Sequence, residues 1–152
     1  MMKIDLITIG RLKKGPLFDL CADYQKRIGW PLNLIECESK HSDATKANDD
    51  EQALILSHLR NDAVVVVLDE RGNGLKSLDF AKTIEKFQNI GERHMQFVIG
   101  GADGLNDEIR NRASILLSFG QQTWPHMLAR VMILEQIYRA QQILKNHPYH
   151  RE

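Results

Sequence analysis

Three loops and a tail carry the residue types that could do chemistry. The first loop lies within Phe97-Val-Ile-Gly-Gly-Ala-Asp-Gly-Leu105. It follows a strand-like run and precedes a short helical stretch, where main-chain N–H groups and a helix start can hold a ligand's polar edge. Glycines at 100, 101 and 104 let a ligand approach the backbone closely. The order is GGxxG rather than the GxGxxG of dinucleotide sites, and no acidic residue stands near position 120 to grip a ribose. A plain tight turn would share this spacing. The second loop, Ser118-Phe-Gly-Gln-Gln-Thr-Trp-Pro-His126, gathers an aromatic ring, two amides, a hydroxyl and an imidazole. Its Trp124 is either a pocket wall or an anchor that buries its own area.

The third loop, Gly10-Arg-Leu-Lys-Lys-Gly15, is a near-miss to the phosphate-binding P-loop. Pro16-Leu17 replaces the obligatory Lys-Ser/Thr pair, which excludes nucleoside triphosphate binding of that kind. The tail, His147-Pro-Tyr-His-Arg-Glu152, holds residue types that stack on bases and grip phosphates, although a terminus commonly frays. A metal site is not expected: His147 and His150 have no cysteine nearby, and no HExxH occurs.

Alternating elements must position these groups. Ile4–Ile9, Leu32–Cys37, Ala63–Leu68, Gln96–Ile99 and Ile115–Phe119 read as strands. The β-branched run Ala63–Leu68 suits a strand buried on both faces. Helices are expected over Pro16–Ile28, from Asp49 through Leu59, from Ser77 to Ile90, over Asn106–Ala113 and over Met127–Leu144. Ser39–Asn48 reads as a mobile loop and Arg71–Gly74 as a turn. Strands separated by helices imply one α/β domain over residues 1–152, a mostly parallel sheet covered on both faces. Ligands of such sheets bind outside the strands' carboxyl ends, so the loops after Leu68, Gly100 and Phe119 should converge on one pocket.

The last helix is apolar nearly all round, which asks for more than one buried face and suggests a subunit partner. Its narrow polar stripe centres on Glu135 and Arg139, read as an i,i+4 ion pair that is solvated or interfacial. Arg130 lies among apolar residues and is either snorkelling or aimed at an anion.

With 152 residues, 43% apolar and 26% charged, the chain fits one ordinary globular domain. Net charge is zero, which speaks against bulk electrostatic attraction to nucleic acid or membrane. The zero conceals a balance of −4 over residues 1–108 and +4 over 109–152, a hint of polyanion binding at the C-terminal end. Cys21 and Cys37 read as reduced core residues. Neither a signal peptide nor a membrane-length apolar run is present, so a cytoplasmic location is expected.

Several separate blocks resemble one family. They are Val98–Leu105, Leu117-Ser-Phe with Thr123-Trp-Pro-His-Met-Leu-Ala-Arg130, Glu135-Gln-Ile-Tyr-Arg-Ala140, and Pro148-Tyr-His-Arg151. Together they are similar to the RlmH family of 23S rRNA pseudouridine methyltransferases, of the SPOUT class. The resemblance spans the whole chain. It implies a C-terminal trefoil knot, which physical priors would not suggest because true knots are rare. It also implies a homodimer that takes a methyl group from S-adenosylmethionine to N3 of a pseudouridine on the assembled ribosome. Carried over, the cofactor pocket would be Leu68, Gly100, Phe119, Gly120, Gln121, Gln122, Thr123 and Trp124. Gln121 and Gln122 would contribute main-chain contacts. His126, Tyr149, His150 and Arg151 would serve catalysis, the tail coming from the opposite subunit, with His126 or His150 as base. Arg130 and Arg151 would hold RNA. A dinucleotide oxidoreductase and a non-enzymatic ribosome-binding module are the competing readings.

Overall fold

The structure, a computed structural model, describes residues 1–151 and leaves Glu152 of the expected tail outside. Ten elements follow in strict alternation: β1 (Lys3–Ile9), α1 (Pro16–Arg27), β2 (Leu32–Cys37), α2 (Ala44–His58), β3 (Val64–Asn73), α3 (Ser77–Asn89), β4 (His94–Ile99), α4 (Asp107–Arg112), β5 (Ile115–Leu117) and α5 (His126–Leu144). All strand pairs are parallel, in the order β2-β1-β4-β3-β5. The α/β class and the parallel sheet expected from the sequence are both present.

Helices cover both faces. Val64 and Val66 of β3 join Cys21 of α1, Phe80 and Ile84 of α3 and Ile133, Leu134 and Ile137 of α5 in one core. Val65 and Val67 point the other way, joining Ile55 of α2 and Ile109 of α4. Each valine alternates between cores, as a two-sided buried strand requires. At roughly 1.5–3 kcal/mol per fully buried aliphatic side chain, this run anchors the sheet. The long helix α5 lies against both α1 and α3 as well as the sheet, so much of its apolar circumference is buried within one chain.

Two local expectations are corrected. Residues 44–48 are helical rather than loop, because the Asp43 carboxylate accepts a hydrogen bond from the Lys46 N–H at 2.9 Å and starts α2 there. Residues 71–73 are strand rather than turn. After an irregularity following Leu68, β3 rejoins β5 at Asn73, whose carbonyl accepts from the Ser118 N–H at 3.0 Å. There the two backbones nearly touch. A Cβ at Gly72 would lie 2.5 Å from the Leu116 carbonyl carbon and oxygen, so only glycine fits.

At the amino end of the sheet, Gln96 is fully buried and donates to Asp5 Oδ2 (2.9 Å) and the His58 carbonyl (2.8 Å). Its own oxygen accepts from the Arg60 N–H, and His94 Nε2 sits 2.7 Å from Asp5 Oδ2. This network closes the end opposite the functional loops.

Candidate active site

The carboxyl ends of β3, β4 and β5 open onto one cavity of about 400 Å³, within the range of small-molecule sites. Leu68, Gly100, Phe119, Gly120, Gln122, Thr123, Trp124 and His126 line it, so the convergence expected from the sequence is present. Gln121 is exposed and does not line the cavity. The loop after β5 holds its own shape. Trp124 donates its indole N–H to the Phe119 carbonyl at 3.2 Å, clasping the two ends of the turn. Ser118 Oγ accepts from the Gly120 N–H at 3.1 Å, and Gly120 adopts φ +108°, a conformation that excludes ordinary side chains. Trp124 is therefore an anchor as well as a wall.

Sequence reasoning missed an acidic wall. Asp69, Glu70 and Asp103 also line the cavity, with Arg71 and Arg110 among them. Arg110 lies 3.5 Å from Asp69 and also bonds Asp107 and the Leu105 carbonyl, tying the loops after β3 and β4 together. Asp69 also accepts from the Arg71 N–H at 2.8 Å. The signal that could have found these carboxylates is their place immediately after Leu68 and within the glycine loop.

A second cavity, of about 580 Å³, shares the Leu117–Gly120 wall. Phe80, Met132, Glu135 and Gln136 bound its other side.

The tail does not fray. Tyr149 donates its phenol hydrogen to Glu135 Oε2 at 2.6 Å, and its ring packs edge-on against Tyr138 with centroids 4.8 Å apart. The Glu135 hydrogen bond, with desolvation by burial, holds the Tyr149 phenol well above its usual range, so the group stays protonated. Arg139 bonds both Glu135 oxygens, at 2.9 and 3.2 Å, and lies 4.8 Å from the Tyr149 ring centroid. His150 Nδ1 is 3.1 Å from Arg139 Nη1. The Glu135–Arg139 pair is thus a clasp for the tail. Arg151 is exposed.

The structure does not bring the tail and His126 together within one chain. Arg139 follows His126 by 13 residues on a continuous helix, about 20 Å along the axis at 1.5 Å per residue. His126 lines the first cavity at the start of α5; the tail is clasped further along.

One expected site residue is corrected. Arg130 does not face RNA: it is 1% exposed. Its Nη1 donates to Glu36 Oε2 at 2.6 Å, and its Nη2 to the Gly10 carbonyl at 2.8 Å. Burial would raise the Glu36 pKa, but the hydrogen bonds from Arg130 and the Leu12 N–H outweigh it and hold the carboxyl below its ordinary value. The apolar setting of Arg130 misled because Glu36 lies 94 residues away. Both cysteines are free and buried, as expected. Among the described residues no His/Cys/Asp/Glu group could hold a metal ion, and no helix is long and apolar enough to cross a membrane.

A family model described as "Predicted SPOUT methyltransferase" matches residues 2–150. The "Ribosomal RNA large subunit methyltransferase H" of Rhodospirillum centenum is 48% identical over 151 residues, covering 99% of each chain. The protein of the same name from Paramagnetospirillum magneticum is 44% identical over 153 residues, again covering 99% of each. Among solved structures, a probable methylase family protein from Haemophilus influenzae Rd KW20 has a TM-score of 0.61 at 15% identity, covering 99% of this chain and 71% of that one. At that identity the likeness speaks to the fold. The full-length family match and the close relatives show that this chain belongs to the SPOUT methyltransferase family and is a methyltransferase.

Proposed function

We propose that the chain methylates large-subunit rRNA with S-adenosylmethionine, at N3 of a pseudouridine on the assembled ribosome, as a cytoplasmic homodimer. The observation that carries this reading is the three-loop cavity with His126 at its edge, in a chain nearly half identical to a large-subunit rRNA methyltransferase.

The cavity fits the cofactor. Its volume suits a molecule of that size, and Asp69, Glu70 and Asp103 complement the cofactor's sulfonium and ammonium charges. Main-chain groups of Gly100 and the 119–124 turn would face the adenine edge. S-adenosylmethionine bound there supplies a methyl group activated by the sulfonium. His126 takes the N3 proton as general base. His150 has a different part. Arginine cannot accept a hydrogen bond, so Nδ1 of His150 must, and the neutral ring carries its proton on Nε2. That arrangement makes His150 a donor toward a carbonyl of the target base rather than a second base. The 20 Å between clasp and His126 supports a tail that completes the pocket of a second copy.

Thermal stabilisation by S-adenosylmethionine, none by NAD, and methyl incorporation into ribosomes together test this reading. Stabilisation by NAD alone would favour the oxidoreductase. Ribosome binding without incorporation would favour the non-enzymatic module.

A further inference from the structure

The loop Gly10–Gly15 carries three exposed cations, Arg11, Lys13 and Lys14. Among the described residues none of the three lies within 4 Å of a carboxylate. The C-terminal segment, where the sequence concentrates positive charge, is different: Arg110, Arg130 and Arg139 all sit in ion pairs. Half of that +4 excess is offset by carboxylates from earlier in the chain, Asp69 and Asp107 at Arg110 and Glu36 at Arg130. The loop after β1 gathers three unpaired cations at the carboxyl edge, beyond the single Arg71 of the pocket wall.

This loop is braced from beneath. The Gly10 N–H donates to the Cys37 carbonyl at 2.8 Å, and the Leu12 N–H to Glu36 Oε2 at 2.7 Å. The same Glu36 oxygen receives Arg130, whose other amino group holds the Gly10 carbonyl. Removing a guanidinium from water is costly; Nη1 and Nη2 of Arg130 are paired while Nε has no partner, and the two paired arms fix a three-cation loop. The loop also abuts the catalytic edge: a Cβ at Gly10 would come within 3.4 Å of Met127 Cε and 4.0 Å of His126 Cε1.

We infer that the Gly10–Gly15 loop is the surface that seats the rRNA backbone beside the pocket, with Arg11, Lys13 and Lys14 on its phosphates and the buried Arg130–Glu36 pair as its scaffold. This rests on the rRNA reading above. Phosphate contacts position a nucleic acid without reading its sequence, which suits an enzyme whose remaining charge is balanced.

The test compares the full chain, loaded with S-adenosylmethionine, with Arg11→Ala/Lys13→Ala/Lys14→Ala and with a control of equal charge loss elsewhere, Lys46→Ala/Lys82→Ala/Lys86→Ala. Binding to ribosomes lacking the methyl group is measured from 50 to 200 mM salt, and methyl incorporation separately. Each lost phosphate contact lowers the log–log salt slope by about 0.7–0.9. Over that fourfold range the unsubstituted enzyme should therefore lose about 20- to 40-fold more affinity than the loop variant. The control should keep the full slope, and cofactor affinity should be unchanged in both. Equal slopes for loop variant and unsubstituted enzyme, or an equal drop in the control, would overturn the inference. Normal incorporation by the unsubstituted enzyme with equal slopes counts against the loop alone. No incorporation by it counts against the substrate assignment.

Discussion

Nη1 of Arg139 lies 3.1 Å from Nδ1 of His150, eleven residues away in sequence. Because the guanidinium can only donate, it fixes the imidazole tautomer, while its remaining nitrogens grip Glu135 and its face meets Tyr149. Arg139 is thus a positioning residue for the tail, which the proposed function sets against the target base. His150→Ala should lower kcat by about 100-fold, the usual cost of one transition-state donor. Arg139→Ala should approach that loss with cofactor affinity unchanged, and Arg139→Lys should restore part of it. His126→Ala should cost about 100-fold or more in kcat. Near-normal turnover in both histidine variants would remove the base and donor assignments together.

The Arg130–Glu36 pair predicts a pH-dependent stability. Glu36 has a depressed pKa in the folded chain, so its contribution is present above the unfolded value of about 4.3 and is lost as pH falls through the folded value. At pH 7 Glu36→Gln should destabilise the fold by about 3 kcal/mol, because Arg130 is left buried without its counter-ion. As pH falls below about 4.3 and through the lower folded value, the two proteins should converge. Denaturant unfolding at several pH values measures the difference.

Gln96 bonds three groups at the closed end of the sheet, the Asp5 carboxylate of β1, the His58 carbonyl at the end of α2 and the Arg60 N–H just beyond it. Replacement by leucine keeps the volume but takes a partner from the His58 carbonyl and the Arg60 N–H and leaves Asp5 with His94 alone. A loss of about 2–4 kcal/mol is expected, at about 1–3 kcal/mol for a buried polar group left unmade. Cofactor affinity should barely change, since the functional loops leave the other end.

Burial raises the thiol pKa values of both Cys21 and Cys37, so neither is a thiolate at neutral pH. Both should resist alkylation by iodoacetamide in the native protein and react fully in denaturant. Rapid native modification of either would contradict the packing described.

The alternating pattern made the fold largely legible, because the valine run and the helices between strands leave few arrangements open. Loop convergence was legible for the same reason: parallel strands put their carboxyl ends on one edge. Long-range pairing was not. Arg130 finds Glu36 across 94 residues, and Tyr149 finds Glu135 by a chain reversal, relationships that no local window contains. Asp43 was missed as a cap because its helix opens on Ala-Thr-Lys-Ala, with few apolar residues to mark a face. The close approach at Gly72 depends on the backbones of β3 and β5 meeting, which a sequence of side chains does not record.

The zero net charge and the paired C-terminal arginines bear on the substrate as well. Without a bulk positive field, loose RNA should bind weakly, and an assembled particle should be needed to present the target. The most direct measurement supplies labelled S-adenosylmethionine with intact ribosomes and, separately, naked 23S rRNA, both lacking the methyl group, and maps the labelled nucleotide. The account predicts label at N3 of one 23S pseudouridine in intact particles and little in naked rRNA. Efficient labelling of naked rRNA, or label confined to the small-subunit RNA, would contradict it.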